Sequence, residues 1–186
     1  MRFAIERAVQ QSAPPPHEGP PAEATGEDVV AELFLTQRLS LVRLAFLLVG
    51  DQETAEDVVQ DAFAALHRRW SRLTDHDRVL PYLRASVVNG CRMVHRRRSI
   101  MRRITGDRQT PFWSAEAAAL LGETRREVFK AVRALPRRQR EAVVLRYYLD
   151  LSEAEIAETM GISRGTVKST VFRALKALTV KLEGNR

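Results

Sequence analysis

The sequence predicts an all-α chain, two small helical domains joined by a flexible linker. Three observations carry this. Apolar residues recur at three- and four-residue steps in the ordered stretches, the period of an amphipathic helix. No alternating apolar–polar run of the kind that marks a half-buried strand occurs. Two stretches without such a period, 10–26 and 101–122, divide the 186 residues into pieces of small-domain size.

The first stretch, "QQSAPPPHEGPPAEATG", is rich in Pro, Gly and Ala. It cannot bury enough apolar surface to offset ordering entropy, so residues 1–28 are predicted to be a disordered extension. Helical order is expected from Val29. Val30, Leu33, Phe34, Leu41, Leu44, Ala45 and Leu48 share one face, and Gly50 ends that helix. Asp51 leads into a second helix, "QETAEDVVQDAFAALHRRWSRL", acidic at its start and basic at its end, as the helix dipole favours. Val59, Phe63 and Leu66 form its buried stripe, and Trp70 is expected to serve the core. After "TDHDR" a third helix spans 79–98. Pro81 suits its first turn, and Leu83, Val87, Cys91 and Val94 form one stripe.

These helices make a first domain over 29–100. Residues 101–122, punctuated by Gly106, Pro111 and Gly122, read as the linker. The second domain, 123–186, opens with "ETRREVFKAVRAL", and a further helix starts at Pro136.

The chain then reaches "LSEAEIAETMGISRGTVKSTVFRALKAL", residues 151–178. Ser152 and Glu155 have capping-box spacing. Gly161 permits a tight turn, Ile162 anchors it, and Ser163 caps the next helix. Val167, Val171, Ala174, Leu175 and Leu178 are expected on the inner face. Arg164, Thr166, Ser169, Thr170 and Arg173 fall mostly outside it, with Lys168 and Phe172 on the borders. This is a helix-turn-helix pattern. Its recognition helix offers Arg164, Thr166, Lys168 and Ser169 to a DNA groove, and Arg173 and Lys176 to the backbone.

Charge points the same way. The net charge is +7 and the pI near 10.3, which favours an anionic partner. Residues 1–28 hold two arginines against five acids, net −3, so the remainder carries +10. Lysine occurs only at 130, 168, 176 and 181; arginine supplies the rest, through GC-rich codon usage or because its fork suits phosphate and guanine. Cys91 is the only cysteine, so there is no internal disulfide and no thiolate metal cluster, and the four histidines lack ligand spacing. No metal, cofactor or nucleophile–base set is indicated, which argues against an enzyme. No apolar run is long enough to span a membrane, and no signal peptide is recognisable, so a cytoplasmic protein is expected.

Two stretches separate a lone regulator from a subunit. "DQETAEDVVQDAF" carries Asp51, Glu53, Glu56, Asp57 and Asp61 with no base; it would repel DNA and attract a basic protein surface, unless it is simply a solvated face. From Arg84 to Arg103 there are seven arginines and no acid. There Asn89, Arg92 and Arg96 share a helix face flanked by His95 and Arg97, suited to a DNA backbone and unpaired bases.

Here the chain resembles the sigma-70 family. "AEDVVQDAFAALHRRW" resembles its region 2.2, "PYLRASVVNGCRMVHRRR" its regions 2.3 to 2.4, and residues 135–178 its region 4. The order and gap match, with no region 3 between, the layout of extracytoplasmic-function sigma factors of actinobacterial type. The resemblance covers roughly 29–182. It implies that Glu56, Asp57, Gln60 and Asp61 dock on the β′ clamp helices of core RNA polymerase. It implies that the third helix and the loop before it bind the melted minus-10 element. Asp75, His76, Asp77 and Arg78 would wall a pocket for a flipped base, with Asn89, Arg92, His95, Arg96 and Arg97 along the strand. Region 4 would read the minus-35 duplex while packing on the β flap. The resemblance leaves open whether an anti-sigma factor binds. Gly90 departs from the larger residue usual there and leaves two readings, close approach of a strand or drift; in a helix it costs about 1 kcal/mol. The expected function is a promoter-specificity subunit. The alternatives are a stand-alone helix-turn-helix regulator and a sigma-like antagonist that only occupies polymerase.

Overall fold

The computed structural model describes residues 26–73, 75, 78–105 and 123–183. The expectations for most of the amino-terminal extension, for the linker from Gly106 to Gly122, and for Thr74, His76 and Asp77 lie outside those residues. Everything described is helical or connecting. α1 spans Gly26–Val49, α2 Gln52–Arg69 and α3 Val79–Thr105; a 3-10 turn, Trp70–Arg72, follows α2. α4 is Glu123–Arg133, α5 Arg137–Tyr147, α6 Glu153–Met160 and α7 Arg164–Glu183.

The local signals explain most boundaries. Gly50 sits at φ +79° after α1, in the left-handed region that glycine favours. Asp51 caps α2: its carboxylate accepts from the Thr54 amide at 2.8 Å and from the Thr54 hydroxyl. That hydroxyl, offset by partial burial and aided by the Thr54 amide and Arg98, holds the Asp51 carboxyl below its ordinary value. Asp51 is thus committed to the cap. α3 differs from expectation. It runs seven residues past Arg98, into the stretch read as linker, because no glycine or proline interrupts it before Gly106 and Arg102 and Arg103 suit its last turn.

The first three helices pack around Leu41, Leu44, Leu48, Val59, Phe63, Leu66, Leu83, Val87 and Cys91, all buried. Trp70 is half-buried against this core, as expected. Burial, with the Glu141 charge second, pushes the Cys91 thiol up to about 12. Gly90 has a specific role. A β-carbon there would meet Val58 Cγ1 at 2.8 Å, so the glycine lets α3 approach α2 closely. The close neighbour is a helix of the same domain.

The two halves do not stand apart. One apolar cluster runs from the first three helices through Val132, Ala142, Val144, Leu145, Ile156, Met160 and Val167. Five successive residues of α5, Glu141 to Leu145, are buried. α5 is covered by α7, α6 and α1, so it has no single apolar face to display in its sequence.

Candidate nucleic-acid and protein interfaces

The helix-turn-helix forms as its sequence implies. The Glu155 amide donates to Ser152 Oγ at 3.3 Å, and the Ser152 amide donates to Glu155 Oε2 at 2.9 Å. The Ser152 hydroxyl and amide together hold the Glu155 carboxyl below its ordinary value. Gly161 turns the chain at φ 66°, and the Ile162 amide returns to the Ala157 carbonyl at 3.0 Å. Ser163 Oγ accepts from the Thr166 amide at 3.2 Å and starts α7.

On α7, Val167 and Ala174 are buried and Val171 and Leu178 half-buried. Two expectations change. Thr170 is buried, because it flanks Val167 and Ala174 on the inner arc; Leu175 is exposed, because it lies past the edge of that arc. Arg164, Thr166, Lys168, Ser169, Arg173 and Lys176 are all exposed, as expected. Arg173 folds back on its own helix, donating to the Ser169 carbonyl at 3.1 Å. Phe172 was placed only on the border. It is 69% exposed and shares a shallow depression with Gly165, Lys168, Ser169 and Arg173. Its signal was the four-residue step from Lys168, which sets it beside a polar arc and off the core.

The acidic candidates occupy one side of α2. Asp57, Gln60 and Asp61 are exposed, and Glu56 is half-buried, accepting from Gln52 Nε2 at 2.6 Å. No base of the same helix stands among them.

The basic candidates on and before α3 divide. Asp75, Asn89, Arg96 and Arg97 are exposed. His76 lies outside the described residues. Arg78 pairs with Glu158, and Arg84 approaches Glu155 at 3.8 Å. Arg92 donates to Glu141 Oε2 at 2.8 Å, to the Met160 carbonyl at 3.3 Å and to Asn89 Oδ1 at 3.0 Å. His95 is turned away from that face. Its Nε2 donates to the Leu48 carbonyl at 3.1 Å, and burial lowers its pKa below the ordinary value despite that bond, with Arg140 and Arg133 adding to the depression. The expectation that His95 lines the strand is therefore corrected. The spacing put it on a flank, and α1 packs against that flank. Among the described residues no group of His, Cys, Asp or Glu is arranged to hold a metal ion. No described helix is long and apolar enough to cross a membrane.

The structure thus sets an exposed acidic face, an arginine-rich helix and a helix-turn-helix on one all-α scaffold, the outline of a DNA-binding factor. Comparison with known proteins makes the class specific. The family Sigma-70 region 2 matches residues 33–101, and Sigma-70, region 4 matches 125–178. The chain is 34% identical over 152 residues to an RNA polymerase sigma-E factor of Streptomyces antibioticus, covering 82% of this chain and 83% of that protein. It is 34% identical over 143 residues to the ECF RNA polymerase sigma factor SigM of Mycobacterium tuberculosis, covering 77% and 71%. Its fold is shared with the sigma factor RpoE of Bartonella quintana, solved in complex with the anti-sigma factor NepR: TM-score 0.73, 24% identity, 86% of this chain and 99% of that one. The chain belongs to the sigma-70 family, in its extracytoplasmic-function branch, and is an RNA polymerase sigma factor. The match to region 2 disfavours the stand-alone regulator.

Proposed function

We propose that this sigma factor binds core polymerase through the exposed acids of α2, Asp57 and Asp61 with Gln60 and Glu56, at the β′ clamp helices. The start of α7 reads the minus-35 duplex, with Arg164, Thr166, Lys168 and Ser169 at base edges and Arg173 and Lys176 at phosphate, while its domain packs on the β flap. The outer face of α3, with Asn89, Arg92, Arg96 and Arg97, holds the melted minus-10 strand, and Asp75, His76 and Arg78 wall a flipped base. The chain supplies binding and strand separation and performs no catalysis of its own. Its place of action is the cytoplasm. An anti-sigma protein is a further expected partner, on the pattern of the RpoE–NepR pair.

The observation that carries this reading is the division of charge over one scaffold. Four exposed or half-exposed acceptors stand on α2, while no acid occurs on α7 before its last residue, Glu183. A polyanion is steered to the second surface and a basic protein to the first.

Run-off transcription with core polymerase tests it. Promoter-dependent transcripts are expected from genomic templates, and their absence from every template would refute it. Asp57→Lys with Asp61→Lys is expected to abolish polymerase binding. Lys168→Ala should cost about 1–3 kcal/mol at promoters whose base it reads, whereas a phosphate contact would weaken all promoters alike.

A further inference from the structure

Phe172 is the odd residue on the outer face of α7. It is 69% exposed, while Lys168, Ser169, Arg173 and Lys176 around it are all polar. It lies off the buried arc of Val167, Thr170 and Ala174. Gly165, Lys168, Ser169 and Phe172 stand at steps of three and four, so they form one stripe of the helix. A groove that takes Lys168 and Ser169 at base edges therefore takes the ring as well. Val180, also exposed, lies about 12 Å farther along the helix, beyond that stripe.

The surroundings of the ring are selective. The depression it shares with Gly165, Lys168, Ser169 and Arg173 has a surface that is mostly carbon, with two cations at its rim. Gly165 leaves one end open: an added β-carbon would meet nothing nearer than Ser163 Oγ at 4.0 Å. Arg173 is held along its own helix by the Ser169 carbonyl at 3.1 Å and the Ser169 hydroxyl at 3.4 Å. No acid stands on α7 before Glu183. An apolar spot rimmed by cations suits a small apolar group on an otherwise anionic surface. The major groove of DNA offers one such group, the C5-methyl of thymine; adenine, guanine and cytosine lack it.

We propose that Phe172 is a specificity residue that reads a thymine methyl in the upstream promoter element. Lys168 and Ser169 supply polar contacts from the same stripe, and the ring supplies the apolar one. Covering the ring with a methyl removes apolar surface from water. Covering it with a base-edge amine or carbonyl would strip that group of water and return no hydrogen bond. The rim cations meet phosphate and fix the register without adding base preference. Thr166 carries a methyl group that could make the same contact, although its hydroxyl is tied to Ser163 Oγ at 2.9 Å. The inference rests on placing α7 in the minus-35 groove, and its test separates the two.

The experiment uses holoenzyme reconstituted from the full chain and core polymerase. Duplexes are selected from a pool randomised across the upstream element. The parent should enrich thymine at one position where Phe172→Ala shows no base preference. Deoxyuridine at that position removes the methyl and nothing else. Binding by the parent should fall about fourfold, the affinity carried by burying one methyl group, and binding by Phe172→Ala should not change. 5-Methylcytosine puts the methyl on another base. The parent should bind it about fourfold tighter than cytosine at that position, and Phe172→Ala should bind the two alike. Thr166→Ser keeps the hydroxyl and removes the rival methyl, so the deoxyuridine effect should persist in it.

Equal deoxyuridine effects in the parent and in Phe172→Ala overturn the contact. Loss of the effect in Thr166→Ser gives the methyl to Thr166 instead. Weaker assembly of Phe172→Ala with core polymerase in the absence of DNA turns the ring toward protein and overturns it too. If the parent selects no upstream sequence, α7 does not read the minus-35 duplex, and the thymine contact falls with that placement. If a sequence is selected without a methyl effect that depends on Phe172, the placement stands and the thymine contact alone falls.

Discussion

Gly90 is where a single methyl group is expected to act against its own propensity. Alanine is favoured over glycine inside a helix by about 1 kcal/mol. Here the added carbon would stand 2.8 Å from Val58 Cγ1, closer than real β-carbons come. Val58 is 6% exposed, and its branched side chain has one strongly preferred rotamer in a helix. The helices must separate or the valine must leave its rotamer, at about 1–3 kcal/mol. Gly90→Ala should therefore destabilise the protein by about 1 kcal/mol net, despite better propensity. In a Val58→Ala background the obstruction is gone, and the same substitution should stabilise by up to about 1 kcal/mol. The sign reverses, and the coupling between the two sites should be about 1–3 kcal/mol, well above the ~0.5 kcal/mol of independent positions. Urea unfolding of the four proteins, followed by far-ultraviolet circular dichroism, measures it. Stabilisation by Gly90→Ala in the unaltered protein, or coupling below ~0.5 kcal/mol, would refute the close-approach explanation. The contact matters beyond stability, because it sets the spacing between the acidic face of α2 and the outer face of α3.

His95 should give a pH signature. Its folded-state pKa lies below the ordinary value of 6.5, so the unfolded chain binds its proton more readily. Its contribution is complete above the unfolded value and is lost as the pH falls from there through the folded one. Unfolding midpoints should thus drop on acidification from neutral pH, and less steeply in His95→Gln; a nuclear magnetic resonance titration of His95 at or above the ordinary value would contradict this. At Gly161, φ 66° with nothing within 4 Å of an added β-carbon makes backbone strain the whole penalty. Gly161→Ala should cost about 1–2 kcal/mol in thermal melts, and Gly161→Asn less; equal losses would point to a steric cause instead.

Much of the site was legible because its determinants are local. The capping box at Ser152 and Glu155, the turn at Gly161 and the cap at Ser163 each involve residues within a few positions of one another, and all formed as expected. The exposed sides of α2 and α7 followed from helical period and charge. The misses have physical causes too. Thr170 and Leu175 exchanged places because the boundary of a buried arc depends on how closely the neighbouring helices wrap it. α3 outran its expected end because nothing local stops a helix there.

The sequence by itself determined the helices, their caps, the order of the acidic and arginine-rich faces, and through them the family. These follow from the helical period and from dipole and cap chemistry, which act over a turn or two. Tertiary structure alone decided what those faces meet. Arg92 meets Glu141, His95 meets the Leu48 carbonyl, Gly90 meets Val58, and Arg133 lies on Gly50. Each of these pairs joins residues tens of positions apart. Their meeting depends on how whole helix surfaces fit one another, which no local period encodes.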